Sequence, residues 1–291
     1  MGGVWRAEIG GWNGATDPAI RSAATDALEA GAVIFLPDLR FQVLPAEIGL
    51  FTPAILGAAK NASFDPSSGK LGGTAVDGSD AATLRAMMER FSSGAAALVD
   101  GLLARYKGRA TRGRASFRPA EIAGRKTTWR KDDSRLHVDS FPATPTGGRR
   151  ILRVFTNVNP EGRARAWRVG DDFAAVAGRF GAQLRLPVPG SGYVLALLHV
   201  TKSPRTAYDA LMLQLHDRMK EDDAFQRESP QTAVDFPAGS SWLAFTDQVS
   251  HAAMSGQYQL EQTVLLPVDA MARPERSPLR ILERLKGRSL T

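Results

Sequence analysis

Two residues with metal-binding side chains lie two positions apart in the sequence, at His137 and Asp139. In an extended segment, side chains two positions apart point to the same side of the chain. An imidazole and a carboxylate on one side are two of the three ligands in the facial triad that holds Fe(II) in non-haem oxygenases. The pair therefore predicts a metal site that a second, distant histidine would complete.

The other histidines of the chain are His199, His216 and His251. His251 follows the turn-forming segment PAGS and a short apolar strand, so we expect it at a strand end beside a turn. His199 lies in the apolar run YVLALLHV, which predicts a core or strand-end position. His216 lies in a segment of helical period, which predicts an exposed or substrate-facing position on a helix. His251 is therefore the predicted third ligand.

A His-x-Asp pair with a distant histidine also arises by chance in many proteins of this size. On the pattern alone, ordinary surface or core histidines are an equal alternative to a metal site. The flanking sequence favours the metal site. The segments HVDSFPATPTGGRRILRVFTNVNPEGRARAWRVG and FTDQVSHAAMSGQYQLEQTVLLPV resemble the Kdo hydroxylases, and the resemblance extends from about Arg118 to Val268.

Kdo hydroxylases are bacterial Fe(II)- and 2-oxoglutarate-dependent dioxygenases. They act on 3-deoxy-D-manno-oct-2-ulosonic acid (Kdo) in the lipopolysaccharide inner core and yield the 3-hydroxylated sugar Ko. The resemblance implies Fe(II), 2-oxoglutarate and dioxygen as cofactors, with His137, Asp139 and His251 as the metal ligands. It also implies a mainly β fold with flanking helices, built on the double-stranded β-helix (jelly-roll or cupin-like) core of these dioxygenases.

Three protein ligands on one face of Fe(II) leave two positions for 2-oxoglutarate and one for dioxygen. The far carboxylate of 2-oxoglutarate needs a cation, and an arginine fork suits it best. Many relatives carry this arginine on the strand after the distal histidine, but residues 252–272 contain no Arg or Lys. We therefore expect Arg153 to bind the carboxylate, Asn157 to add a polar contact from the same strand face, and Gln262 or Thr263 to face them.

An anionic sugar substrate requires further cations and an apolar surface for its ring. The residues that could supply these contacts are Arg118, Arg130, Arg149 and Trp167. A solvated basic surface would give the same pattern, so these four assignments depend on the structure.

The formal net charge of the 291-residue chain is +7, and its sequence pI is about 10.0. Such a charge favours polyanionic partners, yet the sequence has no nucleic-acid-binding motif. Kdo-containing lipid A or lipopolysaccharide accounts for the charge, and so does an ordinary arginine-rich surface.

Because the chain has no cysteine, disulfides and thiolate metal sites are excluded. The sequence shows no signal peptide and no apolar span, so we expect a cytoplasmic protein. Peripheral contact with the anionic inner membrane is an additional possibility.

We expect one dioxygenase domain over residues 1–291. Residues 1–113 form a mostly helical flank in this interpretation, with a helix within residues 46–60, a loop over residues 61–79 and a long helix that follows. Residues 114–268 form the β-helix core, with strands expected at residues 116–122 and 125–130 and a helical insertion at about residues 186–228. Residues 275–288 predict a basic amphipathic helix that docks on the protein itself or, alternatively, on a membrane.

Two other functions fit the sequence. The chain could be a dioxygenase of the same chemistry that acts on a different anionic substrate. It could also be a metal-free sugar- or nucleic-acid-binding β-barrel protein, an interpretation that the intact His137, Asp139 and His251 disfavour.

Overall fold

The structure is a computed structural model that describes residues 3–14 and 17–291. The strands in these residues are β1 (Val4–Arg6), β2 (Val33–Leu36), β3 (Ala62–Asp65), β4 (Lys70–Gly72), β5 (Thr111–Arg118), β6 (Arg150–Asn157), β7 (Arg165–Val169), β8 (Thr232–Phe236), β9 (Ser241–Phe245), β10 (His251–Ser255) and β11 (Gln259–Leu266). The α-helices are α1 (Pro18–Glu29), α2 (Gly78–Leu102), α3 (Phe173–Phe180), α4 (Ser191–Leu197), α5 (Ala207–Glu221), α6 (Asp223–Glu228) and α7 (Pro278–Lys286).

The strands form two sheets that face each other. The large sheet has the order β1-β2-β9-β6-β11-β5-β3-β4, and the small sheet has the order β10-β7-β8. Phe155 and Trp242 of the large sheet pack against Trp167 and Phe236 of the small sheet, and the rings of Phe236 and Trp242 stack with centroids 4.0 Å apart. Two facing sheets around an aromatic core confirm the predicted double-stranded β-helix.

The outer side of the large sheet packs against helices. Side chains alternate between the two sides of a strand, so Leu152 and Val154 of β6 face the helical layer while Phe155 faces the small sheet. The long helix α2 buries one continuous apolar stripe in this layer, because its apolar residues recur every three or four positions. The stripe consists of Leu84, Met87, Met88, Phe91, Ala95, Leu98, Val99 and Leu102.

The N-terminal flank contains more β-structure than we predicted. Residues 46–60 do not form an α-helix but two short 3-10 helices, Pro45–Leu50 and Pro53–Ile55, because a proline in the middle has no N–H for a continuous helix. The expected loop at residues 61–79 contains the β3–β4 hairpin, which extends the edge of the large sheet. These two local predictions are therefore wrong.

Three further local predictions differ from the structure. The first of the two expected strands is β5, which starts and ends earlier than residues 116–122, and residues 125–130 form no strand. His199 is not a core residue: it lies exposed just after α4, with a left-handed backbone (φ 56°). The apolar run that contains it lies mostly in the short helix α4, and most of its large apolar side chains are exposed.

The helical insertion consists of α4, α5 and α6. At the C-terminus, α7 buries Leu279 and Leu282 and packs beside α3. No helix in residues 3–14 or 17–291 combines the length and the apolar character that a membrane crossing requires.

Candidate active site

The three predicted metal ligands meet at the edge of the small sheet. His251 is the first residue of β10, and the backbone N–H groups of His137 and His251 each donate to the carbonyl of the other residue, at 3.0 and 2.9 Å. The backbone N–H of Asp139 donates to the carbonyl of Thr246 at 2.7 Å. Residues 137–139 are thus held by one isolated bridge, at His137, and by the hydrogen bond of Asp139, although they do not form a regular strand.

The ligand atoms of His137, Asp139 and His251 all lie within 4.8 Å of one another. Each imidazole has its Nδ1 atom 2.8 Å from a backbone carbonyl, that of Arg135 for His137 and that of Val249 for His251. When Nδ1–H donates to a carbonyl, the lone pair of Nε2 is left available for a metal. The cluster therefore has the donor set and the tautomers that a facial triad requires.

The electrostatics of the cluster also favour a cation. Burial, followed by the charge of His251, lowers the pKa of His137 well below its usual value, and burial lowers the pKa of His251. Burial would raise the pKa of Asp139, but the charges of Arg153, His251 and His137 together outweigh it, and the net pKa is lowered. At neutral pH the site thus presents two neutral imidazoles and one carboxylate, which are the protonation states that bind metal.

An inner cavity of about 120 Å³ adjoins the three ligands. Its wall includes a buried carboxylate, Glu261, between two guanidinium groups. Nε of Arg118 lies 3.1 Å from Oε2 of Glu261, and Nη1 of Arg153 pairs with Oε1. Burial would raise the pKa of Glu261, but Arg118 and Arg153 outweigh it and lower the pKa, so the acid is ionised.

A third guanidinium in the inner cavity, that of Arg165, has no carboxylate in contact with it among the described residues. Nη1 of Arg165 donates to the carbonyl of Gly256 at 2.9 Å, while Nε is buried without a hydrogen-bond partner there. Burial lowers the pKa of Arg165 to about 9, and the charge of Arg118 acts in the same direction. A buried cation of this kind is stabilised by an anion that enters the cavity.

Other atoms that line the inner cavity are also unsatisfied within the described part of the chain. Nε1 of Trp167 and Oε1 of Gln259 are buried without a hydrogen-bond partner there, and the indole of Trp167 stacks on the ring of His251 with centroids 5.1 Å apart. The free indole N–H of Trp167, beside three guanidinium groups, fits an anionic co-substrate. The residues present therefore fit both Fe(II) and 2-oxoglutarate.

An outer cavity of about 530 Å³ shares Arg118, Arg153 and Glu261 with the inner cavity. Besides these, its lining includes three cations, Arg112, Arg114 and Lys202, and the acid Asp65. The two cavities are therefore neighbours that share these three side chains in their walls.

Of the residues predicted to bind 2-oxoglutarate, some line the cavities and others do not. Arg153 lines both cavities, and Thr263 is its cross-strand partner and lines the outer cavity. Gln262 lies between Leu260 and Val264 on the opposite strand face, where Nε2 donates to the carbonyl of Gly113. The geometry thus favours Thr263 over Gln262.

Asn157 is engaged by the backbone. Its Nδ2 donates to the carbonyls of Arg163 and Phe236, each at 2.9 Å, and its Oδ1 accepts from the N–H of Asn159. These bonds use both donors of the amide, so the structure brings no free group of Asn157 to the cavity and does not favour a 2-oxoglutarate contact.

The residues predicted for the substrate divide into two groups. Arg118 and Trp167 line the inner cavity. Arg130 is largely exposed, bonds to Asp217 at 3.2 Å and stacks on Trp129. Arg149 precedes β6 and donates to the carbonyl of Thr146, so neither Arg130 nor Arg149 lines the cavities at the cluster.

His216 faces the site from α5. Its ring makes an edge contact with the ring of His137, with centroids 5.4 Å apart, and its Nδ1 lies 3.0 Å from Oδ1 of Asp217. His216 therefore lies beside a predicted metal ligand, although it lines neither the cavity at the ligands nor the outer one.

Sequence reasoning did not select Glu261 and Arg165. Glu261 could have been found, because an acid within the otherwise uncharged strand β11 must pair with cations when it is buried. Arg165 gives no such local signal, since its role depends on the small sheet folding across the cavity from β6.

Two facing sheets with a buried His-Asp-His cluster at one edge define the jelly-roll class that includes the non-haem Fe(II) oxygenases. The profile of the 3-deoxy-D-manno-oct-2-ulosonic acid (Kdo) hydroxylase family matches residues 11–289 of this chain. This chain belongs to the Kdo hydroxylase family, as its sequence predicts.

Solved structures of a family member are closely similar to this chain. The crystal structure of the Kdo hydroxylase KdoO, a non-haem Fe(II) α-ketoglutarate (2-oxoglutarate) dependent dioxygenase, with α-ketoglutarate and Fe(III) has a TM-score of 0.96 at 43% identity, covering 99% of this chain and 97% of that chain. The cobalt(II) complex gives a TM-score of 0.96 at 44% identity, and the complex with succinate and Fe(III) gives 0.95 at 42%, with the same coverage of both chains. A search of curated proteins found no match.

Proposed function

We propose that this protein is an Fe(II)- and 2-oxoglutarate-dependent dioxygenase that hydroxylates C3 of Kdo to form Ko. The observation that carries the proposal is the His137, Asp139 and His251 cluster, whose ligand atoms lie within 4.8 Å of one another and whose Nδ1 atoms are both engaged by carbonyls. Membership of the Kdo hydroxylase family supports the reaction and the sugar.

In this proposal the inner cavity holds 2-oxoglutarate beside the metal. Arg165 is the best candidate for the far carboxylate, because its guanidinium is buried and has no carboxylate partner among residues 3–14 and 17–291. Arg118 and Arg153 add positive charge from the opposite wall, and the free Nε1–H of Trp167 offers a further donor. Arg153 is the cation that the sequence predicts for 2-oxoglutarate. It also contacts Asp139, so it would have two roles in the site.

When bound, Fe(II) and 2-oxoglutarate supply the oxidising chemistry that activates dioxygen toward a C–H bond. The residues of this chain position the reactants. His137, Asp139 and His251 would hold the metal, and Arg153 keeps Asp139 ionised and oriented. The apolar surfaces of Phe155 and Trp167 limit the water that can enter the inner cavity.

The outer cavity is the proposed site for the sugar. Its cations Arg112, Arg114 and Lys202 suit a substrate that carries carboxylate and phosphate groups, and its wall at Arg118 and Arg153 also borders the inner cavity at the metal ligands. These residues replace Arg130 and Arg149 as the best-placed candidates for substrate contacts.

We further propose that the substrate is lipid-linked, as Kdo-containing lipid A or lipopolysaccharide, and that the protein acts at the cytoplasmic face of the inner membrane in peripheral contact with it. The net charge of +7 supports attraction to an anionic surface and to an acidic glycolipid.

Succinate formation from 2-oxoglutarate tests the proposed function. Protein loaded anaerobically with Fe(II) is compared with and without Kdo-containing lipid A, beside an Asp139→Ala variant. We expect turnover that the lipid stimulates and the variant lacks. Turnover that the lipid leaves unchanged would point to the same chemistry on another anionic substrate, and absence of metal binding would favour a binding protein without catalysis.

A further inference from the structure

The segment at residues 186–200, here called the apolar segment, exposes seven large apolar side chains within fifteen residues. Leu197 and Val188 are 78% and 75% exposed. The other exposed members are Leu186, Tyr193, Val194, Leu198 and Val200. Elsewhere among the described residues, exposed large apolar side chains occur singly, as at Val4, Leu44, Ile48 and Leu285. A contiguous apolar patch on the surface of a folded domain marks an interaction surface.

The apolar segment is fixed to the body of the protein by the residues that directly follow it. The N–H of Lys202 donates to the carbonyl of Ala143 at 2.9 Å, and Nη2 of Arg205 donates to the carbonyl of Pro142 at 2.6 Å. Gly192 lies so close to Arg205 that a Cβ at this position would be 2.1 Å from the Arg205 carbonyl oxygen. The apolar side chains are therefore held outward by an anchored base.

Charge around the apolar segment identifies its partner. No Asp or Glu occurs between Asp172 and Asp209, while Arg185, Lys202 and Arg205 flank the exposed side chains. A self-association through this surface would bring like charges together, which is unfavourable. Apolar side chains bordered by cations instead match an anionic membrane interface, where the apolar groups enter the acyl boundary and the cations meet lipid headgroups.

The position of the apolar segment also connects it with the candidate substrate site. Lys202, two residues after the segment, lines the outer cavity together with Pro142 and Ala143. Pro142 and Ala143 accept the hydrogen bonds that anchor the segment. Contact of this segment with a membrane would bring the outer cavity to the bilayer surface.

We propose that residues 186–200 form the membrane-docking surface of this protein, with an anionic bilayer as the partner. The apolar side chains enter the interface, and the bordering cations bind acidic headgroups. The role in substrate delivery rests on the proposed function, whereas membrane binding itself does not. The C-terminal helix α7 is the weaker candidate, because its Leu279 and Leu282 are buried in the protein.

Vesicle flotation tests this proposal without any catalytic readout. The metal-free full-length protein is mixed with vesicles of phosphatidylcholine alone or of phosphatidylcholine with phosphatidylglycerol. We expect binding to the anionic vesicles that weakens with added salt. The double variant Leu197→Ser/Leu198→Ser should lower the partition coefficient at least about tenfold, since it removes two exposed leucines that enter the bilayer interface. Ile48→Ser, which removes an apolar side chain that is 65% exposed elsewhere, should bind like the wild type.

A second measurement uses the absence of cysteine in the chain. Leu197→Cys and Ile48→Cys each give a single site for an environment-sensitive fluorophore. We expect a blue shift with anionic vesicles for the label at position 197 and none for the label at position 48. Equal flotation of the wild type and the double variant would overturn the proposal. So would a label at position 197 that responds to protein concentration instead of vesicles, which would identify a second copy as the partner.

Failure of the docking proposal and failure of the proposed function give different results. A water-soluble Kdo glycoside would be turned over equally by the wild type and the Leu197→Ser/Leu198→Ser variant if only docking is affected. If the enzymatic proposal fails, no sugar stimulates turnover, while flotation on anionic vesicles is unchanged.

Discussion

The Nε atom of Arg153 lies 3.0 Å from Oδ2 of Asp139, and the same guanidinium also pairs with Glu261. Arg153 thus joins a predicted metal ligand to a buried acid in the wall of both cavities. A group that contacts a metal ligand fixes the orientation of that ligand and tunes its charge. Arg153 is therefore expected to affect metal binding as well as 2-oxoglutarate.

Substitution Arg153→Lys tests this double role. Lysine keeps the charge but cannot bridge two carboxylates as a planar fork does. We expect the affinity for Co(II), titrated without 2-oxoglutarate, to fall about 10- to 100-fold. Arg149→Lys is the matched control, because Arg149 contacts Thr146 and lines neither cavity. Unchanged Co(II) affinity in Arg153→Lys would show that Asp139 is positioned by other groups.

Arg165→Met tests the proposed cation for 2-oxoglutarate. Loss of a charged hydrogen-bonding partner costs about 1.5–3 kcal/mol, so the Kd of 2-oxoglutarate for the Co(II)-loaded protein should rise about 10- to 100-fold. The affinity for Co(II) should not change. Arg163→Met, on the exposed turn before β7, should leave both affinities unchanged. A normal Kd of 2-oxoglutarate in Arg165→Met would assign the carboxylate to another arginine.

Glu261→Gln tests the buried charge network. The substitution leaves Arg118 and Arg153 without their shared carboxylate, and breaking a buried pair costs about 3–5 kcal/mol. We expect the free energy of unfolding of the metal-free protein to fall by about 3 kcal/mol, as measured in urea. The control is Glu161→Gln, which removes an exposed pair with Arg163 and should cost less than about 1 kcal/mol. A similar small loss in both variants would mean that water screens the network.

Glu121 gives a prediction for pH. Burial would raise its pKa, but hydrogen bonds from the N–H groups of Ala123, Gly256 and Ile122 outweigh burial and lower the pKa. A carboxyl with a lowered pKa in the folded state stabilises the fold above its unfolded pKa of about 4.3, and this contribution is lost as the pH falls through the folded pKa.

The variant Glu121→Gln should therefore be less stable than the wild type at pH 7, by less than about 1 kcal/mol because the side chain is partly exposed. Below the folded pKa of Glu121 the difference should disappear, since the wild-type side chain is then also neutral. Thermal unfolding of both proteins across the acid range checks this. A stability difference that is constant with pH would attribute the effect of the Glu121→Gln substitution to packing.

Several features of the site follow from local sequence. The spacing of His137 and Asp139 predicts a common side for their side chains, and the period of two in β6 correctly separates Phe155 from Leu152 and Val154. The family assignment and the double-stranded β-helix are confirmed. These predictions succeed because they depend on neighbours within one segment or on long matching segments.

Other features depend on contacts that no local pattern encodes. The choice between Gln262 and Thr263 requires the register of β11 on β6, which pairs Thr263 with Arg153. The position of Arg165 requires the small sheet to close over the cavity. His199 was misplaced because an apolar run usually signals burial, whereas this run is exposed on the surface.

The most direct test of the central claim follows the oxygen atom. The Fe(II)-loaded protein is incubated with Kdo-containing lipid A and 2-oxoglutarate under ¹⁸O₂, and the released sugar is analysed by mass spectrometry. The account predicts Ko that carries one heavy oxygen on C3, one succinate formed per hydroxylated sugar, and no product from Asp139→Ala. Succinate formed in the presence of the lipid without any labelled Ko would contradict the account.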